Sequence, residues 1–413
     1  MSSKTIVILG GGVGGLMAAN ELRRLLAREH RVVLVEKSPV HAFAPSFLWL
    51  MTGDRTAAQI SRPLRTLVRR GVEVVQAEAR TIDLAGRRVE TSIQELRYDY
   101  LIVALGTALA PDAIPGLAEG GHSFYTFDGA AKLHDTLQSF RGGKVAVVVS
   151  GLPFKCPAAP YEGAMLLADY FARRGGRDRV EMHLFTPEPQ PMPVAGPQLG
   201  NAVKTMVESK GISYHPMHQI KAVDPQAGEL QFDGKEVFRY DLLVAVPPHR
   251  GPQLVREAGL ANEVGWVPVD AGSLATRHEN VCAIGDITAI SLPGRWKPDV
   301  PLMLPKAGVF AHAQAFVVAH RIAGQINGTR VEEKFCGDGY CMLEAGQHEG
   351  GFAFGNFFAE PAPQVQIRNL GKMWHLGKVL LEKWWLAPFG LRRAALRTGL
   401  ELGGKALGIP VVL

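Results

Sequence analysis

Four cysteines are the side chains of this 413-residue sequence best suited to redox or nucleophilic chemistry. Cys156 lies in the stretch S-G-L-P-F-K-C-P-A-A-P-Y-E, just before a helix that the sequence predicts to begin near Tyr161. A helix N-terminus lowers the pKa of a nearby thiol, so we expect Cys156 to favour the reactive thiolate. The others are Cys282, Cys336 and Cys341, and no two cysteines have the spacing of a zinc site. We therefore expect no structural metal.

The first 36 residues carry the glycine pattern of a dinucleotide-binding fold. They predict a buried strand over residues 5–9, a glycine-rich turn, a helix over residues 14–29 and a second strand that ends at Glu36. Such glycines permit a tight turn, close approach of the backbone to a pyrophosphate and close helix packing. An acid after the second strand accepts hydrogen bonds from a ribose diol. The candidate cofactor-binding residues here are Gly10, Gly12, Gly14, Gly15 and Glu36.

Two further segments bear on which dinucleotide binds. Residues 98–107 read Y-D-Y-L-I-V-A-L-G-T, a strand that ends in a small-residue turn, and residues 280–286 read N-V-C-A-I-G-D. These motifs resemble those of the two-dinucleotide-binding-domain flavoproteins, which include disulfide reductases and type II NADH dehydrogenases. The resemblance implies that the cofactor is FAD and that Asp286 binds its ribitol or pyrophosphate. The alternative role of Asp286 is that of a plain helix N-cap. Further candidate contacts are Ala104, Gly106 and Gly285.

A second Rossmann-like unit is predicted to begin with the strand at residues 143–150. NADH-using relatives have a second glycine motif at this point, but only Gly151 remains of it here. Pro153, Pro157 and Pro160 remove N–H donors where phosphates would bind. We therefore expect this unit to keep its fold without binding a nicotinamide dinucleotide.

Four stretches resemble the sulfide:quinone oxidoreductases and the related flavoprotein subunit of flavocytochrome c sulfide dehydrogenase. They are P-F-K-C-P-A-A-P-Y-E around Cys156, G-Y-C-M-L-E-A-G around Cys341, H-A-F-A-P-S-F-L-W-L-M-T-G over residues 41–53 and P-L-M-L-P-K-A-G-V-F-A-H-A-Q-A over residues 301–315. The resemblance implies a redox disulfide between Cys156 and Cys341 beside the flavin. It also implies that Lys306 lies at the pyrimidine end of the flavin, where a cation stabilises the reduced ring.

One feature departs from this resemblance. Many members of the family carry a third cysteine shortly after the segment that matches residues 98–107. Here residues 121–130 read G-H-S-F-Y-T-F-D-G-A and contain none. The length of the sulfur product, and the substrate itself, stay open for that reason.

The C-terminal segment is basic and rich in tryptophan. Residues 368–413 carry eight basic and two acidic side chains, a difference equal to the net charge of +6. Helical periodicity over residues 371–386 predicts one apolar face of Met373, Leu376, Leu380, Leu381 and Trp384, opposite His375, Lys378 and Glu382. A second amphipathic helix is predicted over residues 391–407. Such helices lie in the headgroup plane of a bilayer, so we expect attachment to a membrane surface; packing on the core or on a second subunit is the alternative.

Together these patterns predict an α/β protein with two Rossmann-like domains and a C-terminal amphipathic helical region. The expected divisions are residues 1–110 and 270–330 for the FAD-binding domain, 111–269 for the second unit and 331–413 for the interface and membrane-surface region. The predicted reaction is FAD-dependent oxidation of sulfide with a membrane quinone as acceptor. A cytochrome acceptor, a type II NADH:quinone dehydrogenase and a redox-inactive FAD-binding scaffold stay open.

Partners and location follow from the same features. No signal peptide and no run of ~18 apolar residues is visible, so we expect a monotopic membrane protein on a side that stays open. Nucleic acid is not an expected partner, because the basic tail lacks a recognised binding module. A homo-oligomer is compatible with the sequence.

Overall fold

A parallel sheet of five strands forms the centre of the first unit. A computed structural model describes residues 3–409 of the protein. The strands follow the order Val281–Ala283, Tyr100–Val103, Thr5–Leu9, Arg31–Glu36 and Val72–Gln76. The helices Val13–Leu25 and Gly308–Asn327 pack against each other on one face of this sheet. Two distant stretches of the chain thus complete one sheet, and both bring candidate cofactor residues to its carboxyl edge.

The first helix is shorter than the sequence predicts. It ends at Leu25 and not at residue 29, because Leu26 is already extended. The guanidinium of Arg23 donates hydrogen bonds to the carbonyl oxygens of Leu26, Ala27 and His30, which stabilises the turn into the next strand.

The second unit is a four-stranded parallel sheet. Its order is Ile212–His215, Val180–Phe185, Gly143–Val149 and Leu242–Val246. The prediction of a strand from residue 143 is confirmed. The helix that follows spans Ala159–Arg173, two residues earlier than predicted, because Pro160 is well suited to a first helical turn. The Rossmann-like α/β class expected from the sequence is confirmed for both units.

A three-stranded antiparallel sheet precedes the C-terminal helices. Its strands are Asp338–Gly346, Glu349–Asn356 and Gln364–Gly371. The first of them carries Cys341, opposite Ala353, and packs against the helix Ala159–Arg173. This contact brings the sheet to the helix that follows Cys156.

Shorter elements complete the described chain. Small antiparallel sheets are formed by Ala79–Asp83, Arg88–Thr91 and Glu95–Arg97, by Ile220–Asp224, Glu229–Phe232 and Phe238–Arg239, by Val40–Ala42 and Ser61–Pro63, and by Ala108–Leu109 and His249–Arg250. Val267–Pro268 pairs in parallel with Thr288–Ala289. The remaining α-helices are Phe47–Met51, Leu117–Gly120, Phe127–Ser139, Pro197–Ser209 and Gln253–Glu257.

The chain ends in two helices, Lys372–Trp385 and Leu391–Ala406, close to the predicted bounds. Their orientation, however, is inverted relative to helices that pack an apolar face on the core. In the first, the polar side chains of Lys378 and Glu382 are buried, whereas Met373 and Leu376 are 48% and 55% exposed. Trp384, which the periodicity places with Met373 and Leu376, is buried, so only part of the predicted apolar face is exposed.

Ion pairs explain the inverted orientation of the helix Lys372–Trp385. The Lys378 ammonium lies 2.6 Å from the Glu162 carboxylate, and both side chains are buried. One turn later, Glu382 accepts hydrogen bonds from Ser46 and Arg55. A charge is buried only when it is paired, so these partners in the domain core determine which side of the helix faces inward.

Among residues 3–409, no helix is long and apolar enough to cross a bilayer.

The buried pair makes a testable prediction about stability. Lys378→Met leaves the Glu162 carboxylate buried without a counter-ion, so we expect the free energy of unfolding to fall by about 3–5 kcal/mol. The double variant Lys378→Met/Glu162→Gln removes both charges and is expected to recover much of this loss. Urea unfolding followed by circular dichroism measures both. Equal stability of the single variant and the wild type would show that the pair does not hold the helix.

Candidate active site

The glycine-rich turn after the first strand has the geometry of a dinucleotide cradle. Gly10 has φ +101°, and a Cβ there would lie 2.4 Å from the Ala104 carbonyl oxygen. A Cβ at Gly15 would lie 1.8 Å from the Gly10 carbonyl oxygen. A Cβ at Gly12, in contrast, would meet no atom within 4 Å. Two glycines thus allow close packing, and the third leaves open space where a phosphate can approach the backbone.

A cavity of about 210 Å³ adjoins this turn. Gly11, Gly12, Glu36 and His41 are among its lining residues. One oxygen of Glu36 accepts a hydrogen bond from the Gly11 N–H at 2.6 Å, and the other accepts from the Ser38 N–H at 2.9 Å. The carboxylate is thus held at the rim of the cavity, where an acid that binds a ribose is expected.

The remaining glycine candidates lie in the turns that close the cradle. Gly14 places the first helix against Ile284, the residue before Gly285. Gly106 and Gly285 both have positive φ angles, +64° and +77°. The structure therefore brings the cofactor-binding candidates, which are far apart in the sequence, to one edge of the five-stranded sheet.

Asp286 and Lys306 lie together at this edge. The Oδ1 atom of Asp286 is buried and has no hydrogen-bond partner among residues 3–409. Such an atom fits a hydroxyl donor from a ribitol chain, which supports FAD binding. Lys306 is buried and not at the surface; its Nζ donates to the carbonyl oxygens of Asp286 and Thr288 and lies 3.5 Å from the Trp266 ring centroid. Burial lowers the pKa of Lys306 to about 8.

The proline-rich loop of the second unit is attached to this flavin segment. The Cys156 N–H donates to the Lys306 carbonyl oxygen at 2.6 Å, and Lys155 pairs with Lys306 as an isolated β-bridge. In a dinucleotide-binding unit, the corresponding loop would hold phosphates. Here its backbone is used to place Cys156 beside Lys306.

Cys156 and Cys341 belong to one site although 185 positions separate them in the sequence. Both pack against the same apolar core, and a negative charge on Cys156 raises the pKa of Cys341. Both are free thiols. Cys282 lies in the strand Val281–Ala283, and Cys336 is exposed.

The expectation that a helix terminus lowers the pKa of Cys156 is wrong. Burial raises the pKa of this thiol to about 12, and the carboxylate of Glu162 acts in the same direction. The pKa of Cys341 is also raised well above its ordinary value, mainly by burial. The Lys378 ammonium lowers the pKa of both thiols but does not outweigh burial. Desolvation of the thiolate therefore exceeds the effect of the helix N-terminus.

Around the two cysteines lies a buried charged network that sequence reasoning did not find. Glu162 pairs with Lys378 and also accepts a hydrogen bond from the Glu344 N–H at 2.9 Å. The Glu344 carboxylate lies 2.8 Å from Nδ1 of His375, which reaches the exposed ring of His348. Burial lowers the pKa of Lys378, but the carboxylates of Glu162 and Glu344 outweigh it and raise that pKa. The only signal in the sequence was the proximity of Glu162 to Cys156.

The C-terminal helix also contacts the nucleotide cradle. The Trp385 indole N–H donates to Nε2 of His41 at 2.7 Å, and Nδ1 of His41 lies 3.0 Å from the Gly11 carbonyl oxygen. Because an indole N–H can only donate, the His41 proton is on Nδ1 and is donated to Gly11. Burial lowers the pKa of His41, which keeps the ring neutral. The relay Trp385–His41–Gly11 thus fixes the backbone of the cradle.

This relay predicts the effect of one hydrogen bond on cofactor retention. Trp385→Phe removes the indole donor, so we expect a dissociation constant for FAD about fivefold higher. Flavin fluorescence after dilution of the holoprotein measures the release. Trp384→Phe is the matched control, because the Trp384 indole N–H is buried without a partner in the described part of the chain. An equal loss of FAD affinity in Trp385→Phe and Trp384→Phe would contradict a specific role for the relay.

Comparison with solved structures agrees with this architecture. The chain superimposes on the X-ray structure of the sulfide:quinone oxidoreductase from the hyperthermophilic bacterium Aquifex aeolicus with a TM-score of 0.86. The match covers 100% of this chain and 96% of the other, at 26% sequence identity.

Sequence comparisons point to the same group. The sulfide-quinone reductase of Aquifex aeolicus (strain VF5) is 30% identical over 397 residues, which are 93% of this chain and 90% of that protein. The mitochondrial sulfide:quinone oxidoreductase of Mus musculus is 26% identical over 369 residues, 86% of this chain and 79% of that protein. The family described as pyridine nucleotide-disulphide oxidoreductase matches residues 4–315, which contain both Rossmann-like units. The resemblance and the FAD cofactor predicted from the sequence are confirmed. The chain is an FAD-dependent oxidoreductase that belongs to the pyridine nucleotide-disulphide oxidoreductases and, within them, to the sulfide:quinone oxidoreductase family.

Proposed function

We propose that this enzyme oxidises sulfide through a disulfide between Cys156 and Cys341 and passes the electrons through FAD to a membrane quinone. The observation that carries the proposal is the proximity of Cys341 to Cys156, whose N–H is bonded to Lys306 at the edge of the sheet where the FAD candidates converge. The homology to sulfide:quinone oxidoreductases supports the choice of sulfide and quinone.

The proposed first step is a thiol–disulfide exchange. Hydrosulfide attacks one sulfur of the disulfide; a new sulfur–sulfur bond forms, the Cys156–Cys341 bond breaks, and one cysteine leaves as thiolate. This order suits the raised pKa values, because neither buried thiol has to ionise before the reaction begins. The Lys378 ammonium supplies the positive charge that stabilises the leaving thiolate.

The disulfide then has to form again, and a sulfane sulfur has to be released. In these steps the persulfide and the thiolate together lose two electrons. FAD supplies the two-electron acceptor when bound, held by the glycine cradle, Glu36 and Asp286. Quinone takes up two electrons and two protons to become quinol. Glu162, Lys378, Glu344 and His375 form a buried charged cluster that extends from the cysteines toward the exposed ring of His348.

The prolines after the second sheet's first strand oppose the NADH dehydrogenase alternative. Pro153 and Pro157 have no N–H to offer a phosphate, and the loop is attached to Lys306. Sulfide is therefore the electron donor that fits the site, and the cysteines are its point of entry.

The inverted C-terminal helices favour a membrane acceptor over a soluble cytochrome. Apolar side chains are exposed on these helices and on the end of the preceding strand: Leu370, Met373, Leu376, Leu391 and Leu402 are between 43% and 91% exposed. Exposed basic side chains accompany them: Lys372, Lys383, Arg392, Arg397 and Lys405. Exposed apolar area beside basic groups is the composition of a surface that lies in anionic headgroups. We propose monotopic attachment through this surface.

Anaerobic flavin absorbance tests the reaction. We expect sulfide to bleach the flavin of the holoenzyme and a soluble quinone to restore its colour. Cys156→Ser and Cys341→Ser should each reduce sulfide bleaching to the background rate, because no exchange can start, whereas Cys336→Ser, at an exposed thiol, should keep the rate. Bleaching by NADH with indifference to sulfide would overturn the proposal.

Vesicle co-sedimentation tests the attachment. Leu376→Glu puts a charge on the exposed apolar face, so we expect binding to phosphatidylglycerol-containing vesicles to weaken about tenfold or more. Ile93→Glu is the control, since Ile93 is 67% exposed on a turn of the first unit. Vesicle binding of Leu376→Glu equal to that of the control would exclude this face as the docking surface.

A further inference from the structure

A buried histidine beside the Cys156 loop has one ring nitrogen without a partner. His249 follows Pro247 and Pro248 at the end of the strand Leu242–Val246 and is 8% exposed. Its Nδ1 lies 2.8 Å from the Pro247 carbonyl oxygen, which can only accept, so the ring proton is on Nδ1. Nε2 is therefore a hydrogen-bond acceptor, and it is buried with no partner among residues 3–409.

The surroundings of His249 connect it with Cys156. Its ring makes an edge contact with Tyr125, at 5.4 Å between centroids, and the Tyr125 hydroxyl donates to the Cys156 carbonyl oxygen at 3.4 Å. Pro248 packs against Gly151 at the start of the cysteine loop. The imidazole, Tyr125 and the cysteine loop thus form one wall.

Positive charge accompanies this free acceptor. The ammonium groups of Lys155 and Lys306 both lie close enough to oppose protonation of His249, and burial with these charges lowers its pKa to about 3. The ring is therefore neutral at any working pH. Lys306 already donates to two carbonyl oxygens, whereas Lys155 forms no salt bridge among residues 3–409, although its charge opposes the rise that burial causes in the pKa of the nearby Asp286 carboxyl.

A buried acceptor and an ammonium that forms no salt bridge among the described residues together define the chemistry of a ligand. The ligand must carry a negative charge for Lys155 and a hydrogen to donate to Nε2. Hydrosulfide is a small ion that has both features, since it carries one negative charge and one S–H bond.

We propose that His249 and Lys155 bind hydrosulfide next to Cys156 and orient it for attack on the disulfide; the inference rests on the proposed function. The S–H donates to Nε2 of His249, and the charge faces the Lys155 ammonium. The hydrosulfide sulfur then bonds to Cys156 as the Cys156–Cys341 bond breaks. The electron pair of that bond leaves on Cys341 as thiolate, near Lys378, and the proton stays on the terminal sulfur of the persulfide. Atoms and charge balance without a further reactant.

Two reductants applied to the same holoenzyme test this binding site. The measurement is the second-order rate constant of anaerobic flavin bleaching by sulfide and, separately, by dithiothreitol, which reduces a disulfide without a hydrosulfide site. His249→Phe keeps the ring but removes the acceptor, so we expect the sulfide constant to fall about tenfold to a hundredfold. The dithiothreitol constant should change little. His249→Gln restores an acceptor at a similar distance and should recover much of the rate.

Lysine variants test the charge. Lys155→Met should lower the sulfide constant and Lys155→Arg should recover it, whereas Lys132→Met, on an exposed helix position, serves as the control for net charge. An unchanged sulfide constant in His249→Phe overturns the inference, as does an equal fall with both reductants. A shifted flavin spectrum of His249→Phe with unchanged sulfide kinetics overturns the inference too, because Nε2 would then contact the flavin and not hydrosulfide. Failure of sulfide to bleach the wild type overturns the proposed function itself, and with it the inference.

Discussion

The buried ion pair between Glu162 and Lys378 is the interaction on which the arrangement of the site depends. It joins the helix after Cys156 to the C-terminal helix, and Glu162 also binds the strand of Cys341 through the Glu344 N–H. Two cysteines far apart in sequence are thus held in one site by a single carboxylate with partners on both sides. Because neither charge could be buried alone, the three elements have to assemble together.

The same C-terminal helix connects three regions that sequence order keeps apart. Lys378 pairs with Glu162 on the helix after Cys156, Glu382 binds Ser46 and Arg55, and Trp385 contacts the nucleotide cradle through His41. Its inner side therefore combines these polar contacts with the buried rings of Trp374, Trp384 and Trp385, and its outer side carries the exposed Met373 and Leu376. Burial of the tryptophans and pairing of the charges together determine which face is inside.

The electrostatics of the cysteines follow from the same burial. An isolated thiol at a helix N-terminus would be activated, but here desolvation raises both pKa values and Lys378 only moderates the effect. Such an environment suits an exchange that starts from a disulfide and an anionic nucleophile from outside. It makes a cysteine that must ionise by itself less suitable.

The sequence by itself determined the cofactor cradle and the loss of the second one. Gly10 has a positive φ, Gly15 closely approaches the Gly10 backbone, and Gly12 leaves open space for a phosphate, while the prolines after residue 151 have a local reason to exclude phosphates. Such constraints act over a few residues and are readable from one sequence. Only the tertiary structure decided which face of the C-terminal helix is buried, how the thiols ionise and which side chains surround them. Those properties depend on partners such as Glu162, His41 and His249 that lie hundreds or dozens of positions away, and the free energy of burying a charge is set by its partner and not by its place in a periodic pattern.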